Sequence, residues 1–335
     1  MTGFKSLIGQ QRPARILCNA LINGRIPHAL LFTGEDGVGK RTAAIELAGI
    51  CNCSESSVTR PGAGEPEQSP AACGKCRSCR KIRSGTHPEV HVIKPSGANI
   101  RIDQVRSLYQ SIALKPDEAS KRFVIIADAH LMNREAGNAL LKVLEEPPEA
   151  TFFILTAPDT QDLLPTIVSR CRHIRFNPIP QKDLEKYLAD HCALETDHAM
   201  IIASLARGSL ARAIEMSSED WISRRNFIIN KLEQLPRQSG AFRHAFAELL
   251  AADRDKIETI FEIMKNWYRD LAVFFHSPEK VYNRDLHEQI RSALRQTCLS
   301  RILEKADAVS RAEKVLGSNA NIRLALDALV DELAE

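Results

Sequence analysis

At 335 residues, with 44% hydrophobic side chains, the chain can bury a sizeable core and exceeds one ordinary domain, so two or three are expected. A formal net charge of +3 excludes a strongly cationic nucleic-acid tail, and no run of about 18 apolar residues offers a membrane span. Nine cysteines, four of them local to one stretch, suit free thiols and a metal site rather than a disulfide framework. A cytoplasmic protein is expected, since the first residues also lack the apolar core of a signal peptide.

In chain order, Ala29-Leu30-Leu31-Phe32 reads as a buried strand, followed by a glycine-rich turn and a helix from Lys40 to about Ile50. Between Cys53 and Cys73 a Ser/Pro/Gly/Glu-rich insertion is expected to be a mobile loop. Further buried strands are expected at Phe123–Ile126, Phe152–Leu155 and His173–Phe176, with a helix from Glu135 to Leu144. Alternating strands and helices predict an α/β module with a parallel sheet. After Asn177-Pro178-Ile179-Pro180 the pattern turns helical, with a small module over Gln181–Ala213 and a separate all-helical domain from about Ser217. Within the latter, Ile257, Ile260, Phe261, Met264, Tyr268, Leu271 and Phe275 recur at three- and four-residue steps. That stripe reads as core, with a helix–helix interface as the alternative.

Gly34-Glu35-Asp36-Gly37-Val38-Gly39-Lys40 follows a strand and opens a helix, which is the setting of a phosphate-binding loop. Gly34, Gly37 and Gly39 would let backbone N–H groups turn toward phosphate, and Lys40 would reach the terminal phosphates. The next position, where a hydroxyl would hold Mg²⁺, is Arg41, and Thr42 comes one place late, rotated by about 100° on a helix. At the end of the strand over Phe123–Ile126, Ala127-Asp128 stands where two carboxylates would orient the metal and water. Both changes weaken one Mg²⁺ site. Loss of hydrolysis is therefore expected, while ATP binding is left open.

Cys73, Cys76 and Cys79 form a knuckle to which Cys53 can add a fourth thiolate, a donor set suited to a closed, structural Zn²⁺. Buried free thiols or an iron–sulfur cluster are the alternatives, and Cys51 competes with Cys53. His87, His130 and Cys171 are read as structural. No paired-carboxylate centre for two-metal polymerase chemistry is visible.

Lys40 with Cys53 and the 73–79 knuckle, Ser84-Gly85-Thr86-His87-Pro88, Asn138-Ala139-Leu140-Leu141-Lys142-Val143-Leu144-Glu145-Glu146-Pro147-Pro148, Ser169-Arg170-Cys171 and Gly208-Ser209-Leu210 occur in that order. Together they resemble the bacterial clamp-loader ATPase family of the AAA+ class, over residues 1 to about 215. The resemblance implies a RecA-like AAA+ domain at 1–178 carrying a zinc module at about 51–80. It further implies a small helical lid at 179–216 and an all-helical collar at 217–335. It implies assembly with gamma/tau and delta subunits into a hetero-pentamer that opens the beta sliding clamp and places it on primed DNA. Arg170 would be an arginine finger acting in trans on a neighbour's ATP, and a surface ion pair is the plainer reading. The family's second arginine sensor follows Gly-Ser-Leu, where this chain has Ala211 and then Arg212. These departures place the chain with subunits that do not hydrolyse ATP. The alternative is an active gamma/tau-type ATPase using Thr42; a zinc-dependent nucleic-acid module with a vestigial loop is the remote third. Arg101, Arg106 and Lys142 are candidates for DNA backbone contact.

Overall fold

The computed structural model describes residues 4, 7–55, 70–112, 118–218, 220–253, 256–316 and 321–335. Most of the insertion expected to be a mobile loop, residues 56–69, lies outside the described residues. The chain forms two compact units, Met1–Leu184 with Arg207–Arg212, and Glu185–Ala206 with Ala213–Glu335.

In the first unit the elements run α1 (Gln11–Ile22), β1 (Ala29–Thr33), α2 (Lys40–Cys51), α3 (Arg77–Arg83), β2 (Val90–Ile93), α4 (Ile102–Ile112), β3 (Arg122–Ile126), α5 (Arg134–Glu145), β4 (Thr151–Ala157), α6 (Pro165–Val168) and β5 (Arg172–Arg175). The five strands form one parallel sheet in the order β2-β3-β4-β1-β5. Every residue of β1 and β3 is buried, which explains their uninterrupted apolar runs: a parallel strand covered on both faces has no polar side to show. Alternate side chains serve opposite faces. Leu30, Phe32, Phe123 and Ile125 meet Leu17, Leu21 and Leu47 of α1 and α2. Leu31, Val124, Ile126 and Leu155 meet Leu108, Leu140 and Ile167 of α4, α5 and α6. Asn133 caps α5 by accepting from Ala136 N–H at 3.0 Å.

The four expected strands are present within a residue or two. Phe176, expected inside the last strand, lies just after it, with its ring 5.2 Å from that of Phe32. The fifth strand, β2, was missed because it is a four-residue edge strand, only half-buried, with His91 breaking its apolar character.

The helical elements that follow are α7 (Gln181–Cys192), α8 (Thr196–Leu205), α9 (Leu210–Met216), α10 (Trp221–Gln234), α11 (Gly240–Ala252), α12 (Ile257–Phe274), α13 (His287–Leu294), α14 (Leu299–Leu316) and α15 (Ile322–Ala334). Among the described residues, no helix is long and apolar enough to cross a membrane. In the second unit, Ile260, Phe261, Met264, Tyr268 and Leu271 of the sequence stripe are buried on α12, together with Trp267. Phe275 departs from the expected core: it caps the helix end and is 44% exposed. The same helix buries Asp270 completely. Its carboxylate accepts from the N–H groups of Tyr282 (2.9 Å) and Asn283 (2.7 Å), the Asn283 amide (2.8 Å) and Arg269 (2.7 Å). The Arg225 guanidinium, 1% exposed, joins through Asn283 and Asp285.

Asp270→Ala should strand two buried N–H groups and an amide, costing about 3–5 kcal/mol by comparison with other broken buried charge networks. Urea unfolding followed by circular dichroism should show the loss in the second unit's transition. Asp270→Asn should recover only part of it, because its amide nitrogen cannot accept from these donors.

Candidate functional site

The phosphate loop leaves the C-terminal end of β1, where parallel α/β sheets place ligands. Gly34 N–H donates to the carbonyls of Ala157 (3.3 Å) and Pro158 (3.0 Å), tying the loop to the end of β4. Gly34, Gly37 and Gly39 all have positive φ, at 141°, 80° and 98°, conformations that suit glycine. Lys40 opens α2 and is 6% exposed. Its ammonium donates to the carbonyls of Gly34 and Glu35 (3.0 Å) and pairs with Asp36 at 3.2 Å. The lysine is thus held by oxygens of its own loop.

Arg41 and Thr42 are both exposed on the first turn of α2. Ala127 is buried at the end of β3. Asp128 follows with φ 56°, a left-handed conformation uncommon for a non-glycine residue, and its N–H donates to Thr156 Oγ1 at 3.0 Å. Segment Arg207–Arg212 belongs to the same unit and closes on the loop. Leu210 N–H donates to Gly37 O at 3.0 Å, and a Cβ at Gly37 would overlap Ser209 Oγ and lie 2.7 Å from Ala211 Cβ. Gly-Ser-Leu was legible as a motif; its packing against Gly37 was not, since the two segments are far apart in sequence.

Arg170 lies elsewhere. It follows the single turn of α6 and precedes β5, whose Arg172 pairs with Leu30 and whose Arg175 pairs with Thr33. The phosphate loop begins after Thr33. The chain's own loop and Arg170 therefore sit at opposite ends of the β1/β5 pair, separated by about 10 Å of paired strand alone. Arg170 is 35% exposed, forms an ion pair with Glu145 at the end of α5, and donates to Thr166 O at 3.0 Å. Glu145 belongs to the Asn138–Pro148 motif, but its pairing with Arg170 carries no signal in the sequence. Cys171 packs against the core, and burial pushes its thiol up to about 12, in keeping with a structural role.

The sulfur atoms of Cys53, Cys73, Cys76 and Cys79 all lie within 4.8 Å of one another, a cluster that could hold a metal ion. Cys53 leaves the end of α2, and Cys76 and Cys79 flank the start of α3. Gly74, with φ 70°, makes the knuckle turn. Backbone N–H groups point at the sulfurs: Cys73 toward Cys53 (3.3 Å), Cys76 toward Cys73 (3.2 Å) and Cys79 toward Cys76 (3.4 Å). Burial raises the Cys76 thiol, but hydrogen bonds from Cys79 and Ser54 outweigh it and bring it down to about 6. Cys79 is pushed up by burial and by its thiol neighbours, so a second thiolate is resisted unless a cation shares the cluster. Cys51, the competing donor, packs against the sheet core instead, and burial raises its thiol to about 11.

A hydrogen-bonded relay joins the knuckle to the sheet. Ser78 on α3 bonds His87 (2.8 Å), His87 accepts from Glu89 N–H (3.1 Å), and Glu89 pairs with Arg122 of β3 at 2.7 Å. His87 has its pKa lowered chiefly by burial, as a structural histidine should. The DNA candidates Arg101, Arg106 and Lys142 are exposed on or beside α4 and α5, which Tyr109 OH joins by donating to Ala139 O.

The family model described as DNA polymerase III, delta subunit, matches residues 9–180. The DNA polymerase III subunit delta' of Bacillus subtilis is 31% identical over 97% of this chain and 96% of its own length. The subunit tau of the same organism is 28% identical over 86% of this chain, which spans about half (54%) of that longer protein. A solved DNA polymerase III gamma subunit-related protein of Thermotoga maritima aligns with 96% of this chain and 98% of its own, at 19% identity and a TM-score of 0.47.

The interlock at Gly37 separates two costs of a side chain. Gly97 has φ 71° with nothing within 4 Å of an added Cβ, so Gly97→Ala should cost only the left-handed strain of about 1–2 kcal/mol. Gly37→Ala should exceed it by about 1–3 kcal/mol, because Ser209 and Ala211 must also move. Thermal unfolding of the two variants measures the difference.

Proposed function

The chain belongs to the DNA polymerase III delta-prime family of clamp-loader subunits, and from that premise we propose that it is a non-hydrolysing stator that lends Arg170 to a neighbour's ATP. The observation that carries this reading is the placement of Arg170 at the far end of the β1/β5 pair from the chain's own phosphate loop. In this reading the guanidinium serves a site on another subunit, where it would neutralise charge developing on the transferred phosphoryl group. Arg41 in place of the metal-binding hydroxyl and Ala127 in place of a carboxylate support loss of the chain's own turnover. Gly34, Gly37, Gly39 and Lys40 keep the phosphate-loop form, so nucleotide can be held without being cleaved. In this reading residues 1–178 are the AAA+ domain, 179–216 a lid and 217–335 a collar. The collar joins gamma/tau and delta subunits in a pentamer that loads the beta clamp on primed DNA, with Arg101, Arg106 and Lys142 tracking phosphates.

The test is ATP turnover by the reconstituted loader in the presence of clamp and primed DNA. Arg170→Ala should assemble normally yet lower turnover by at least about tenfold at the interface it serves, modest beside the 10³-fold or more that a finger supplies elsewhere. Unchanged turnover would remove the finger. Turnover by the purified chain alone, abolished by Lys40→Ala, would instead establish an active gamma/tau-type ATPase.

We further propose that the Cys53, Cys73, Cys76 and Cys79 cluster binds one structural Zn²⁺, as its four converging sulfurs and N–H···S bonds suit. Metal analysis of the purified chain should find one zinc per chain. Cys76→Ser should lose it and lower the melting temperature, and Cys51→Ser should keep it.

A further inference from the structure

The second unit contains a cleft of about 960 Å³ that none of the chemistry above uses. It lies against α12, with Trp267, Tyr268 and Leu271 in its lining, and is bounded by the end of α10, the turn around Arg237, and the junction between α13 and α14. Four basic side chains line it, Arg237, Arg295, Arg301 and Lys305, against two carboxylates, Glu233 and Glu335. One of those carboxylates is already engaged: Glu233 accepts from the Gln289 amide at 2.6 Å.

The basic groups come from two segments distant in sequence, Arg237 from one and the other three from residues 295–305, which the fold brings to one cleft. Arg301 and Lys305 are one turn apart on α14, Arg295 precedes that helix, and Arg237 lies in the turn after α10. Among the described residues, Arg237, Arg295 and Arg301 make no ion pair; Arg237 donates to the Gln296 side chain (2.5 Å), and Lys305 to Leu333 O (2.5 Å). Arg237, Arg295 and Arg301 are exposed, so an entering anion meets like charges gathered in one concave place without first breaking an ion pair. The 18-residue helix α14 also begins at the cleft, with Thr297 and Cys298 lining it, so the positive end of its dipole adds to the potential.

We propose that this cleft binds the phosphate groups of a nucleotide or nucleic acid strand. Arginine forks match phosphate oxygens in pairs, and the amide and hydroxyl side chains between them suit the sugar–phosphate backbone. The same phosphate chemistry could arrive on a single strand or as a free polyphosphate, which the experiment separates.

The test uses the full chain and amide hydrogen exchange read by mass spectrometry over residues 292–305, so that binding elsewhere on the molecule is not counted. The probes are a (dT)15 oligonucleotide, inorganic triphosphate and a poly-glutamate peptide of equal charge. Slowed exchange with the oligonucleotide alone supports a strand site, and slowed exchange with triphosphate as well supports a polyphosphate site. No protection by either phosphate probe, or equal protection by poly-glutamate, overturns the proposal. Arg295→Gln/Arg301→Gln replaces exposed side chains, and an unchanged melting temperature confirms its fold. It should abolish the protection and flatten the salt dependence of oligonucleotide binding by about 1.4 in log–log slope, at 0.7 per lost phosphate contact. An unchanged slope with protection intact would also overturn it. Arg301→Lys should recover part of the binding. The outcome is independent of the Arg170 reading, which is measured by turnover.

Discussion

Strand β1 is hydrogen-bonded on both edges, to β4 and to β5, and the chemistry of the first unit depends on that placement. A central parallel strand must be apolar on both faces, so Ala29–Thr33 is fixed by burial before any ligand is considered. Its C-terminal end then presents the phosphate loop, held to β4 through Gly34 N–H. Its N-terminal end lies beside the segment leading into β5, which carries Arg170. Because the two strands are parallel and in fixed register, one subunit cannot bring its loop and its arginine together. A slip of one residue would exchange the side chains packed in the two opposite cores, so the close packing of both faces holds this register.

Much of this was legible in the sequence because burial leaves a simple signature. Apolar runs marked β1, β3 and β4, the strand expected at His173–Phe176 overlaps β5, and glycines with Lys40 marked the loop. Cys53, Cys73, Cys76 and Cys79 were named from spacing, and their sulfurs converge. What was not legible depends on contacts between distant segments. β2 is short, half-buried and interrupted by His91, so it carries little periodic signal. The closing of Ser209 and Ala211 on Gly37 and the Asp270 network around Tyr282 and Asn283 join residues remote in sequence. Phe275 fitted the helical period but falls one residue beyond the helix, where the period no longer applies.

The thiol cluster illustrates how position and electrostatics work together. Cys53 is delivered by the end of α2, whose other end holds Lys40, so a single helix spans the knuckle and the phosphate loop. The other side of the knuckle is anchored through Ser78, His87, Glu89 and Arg122 to β3. Breaking a buried pair such as Glu89–Arg122 leaves an uncompensated charge, so this anchor resists loosening. An ion in the cluster would therefore stabilise a module already registered against the sheet, which is the role of a closed four-thiolate site rather than an open one.

Three arginines show how the fold sorts the same side chain into different duties. Arg122 and Arg225 are 4% and 1% exposed, and each is bound to carboxylate and further acceptors in the interior. Withdrawing either would cost several kcal/mol, so both are fixed parts of their units. Arg170 also has a carboxylate partner, but it is 35% exposed and Glu145 is 50% exposed. An exposed pair of this kind is worth about 0–1 kcal/mol, because water and salt screen it. Glu145 and Thr166 can hold the guanidinium in place while leaving it almost free to exchange partners. In the proposed trans role, a phosphoryl group held by a neighbour, more highly charged than a carboxylate and able to accept the guanidinium fork, would compete with Glu145. The weakness of the Arg170–Glu145 pair is thus what the proposed trans role requires, and a buried pair at the same position would defeat it.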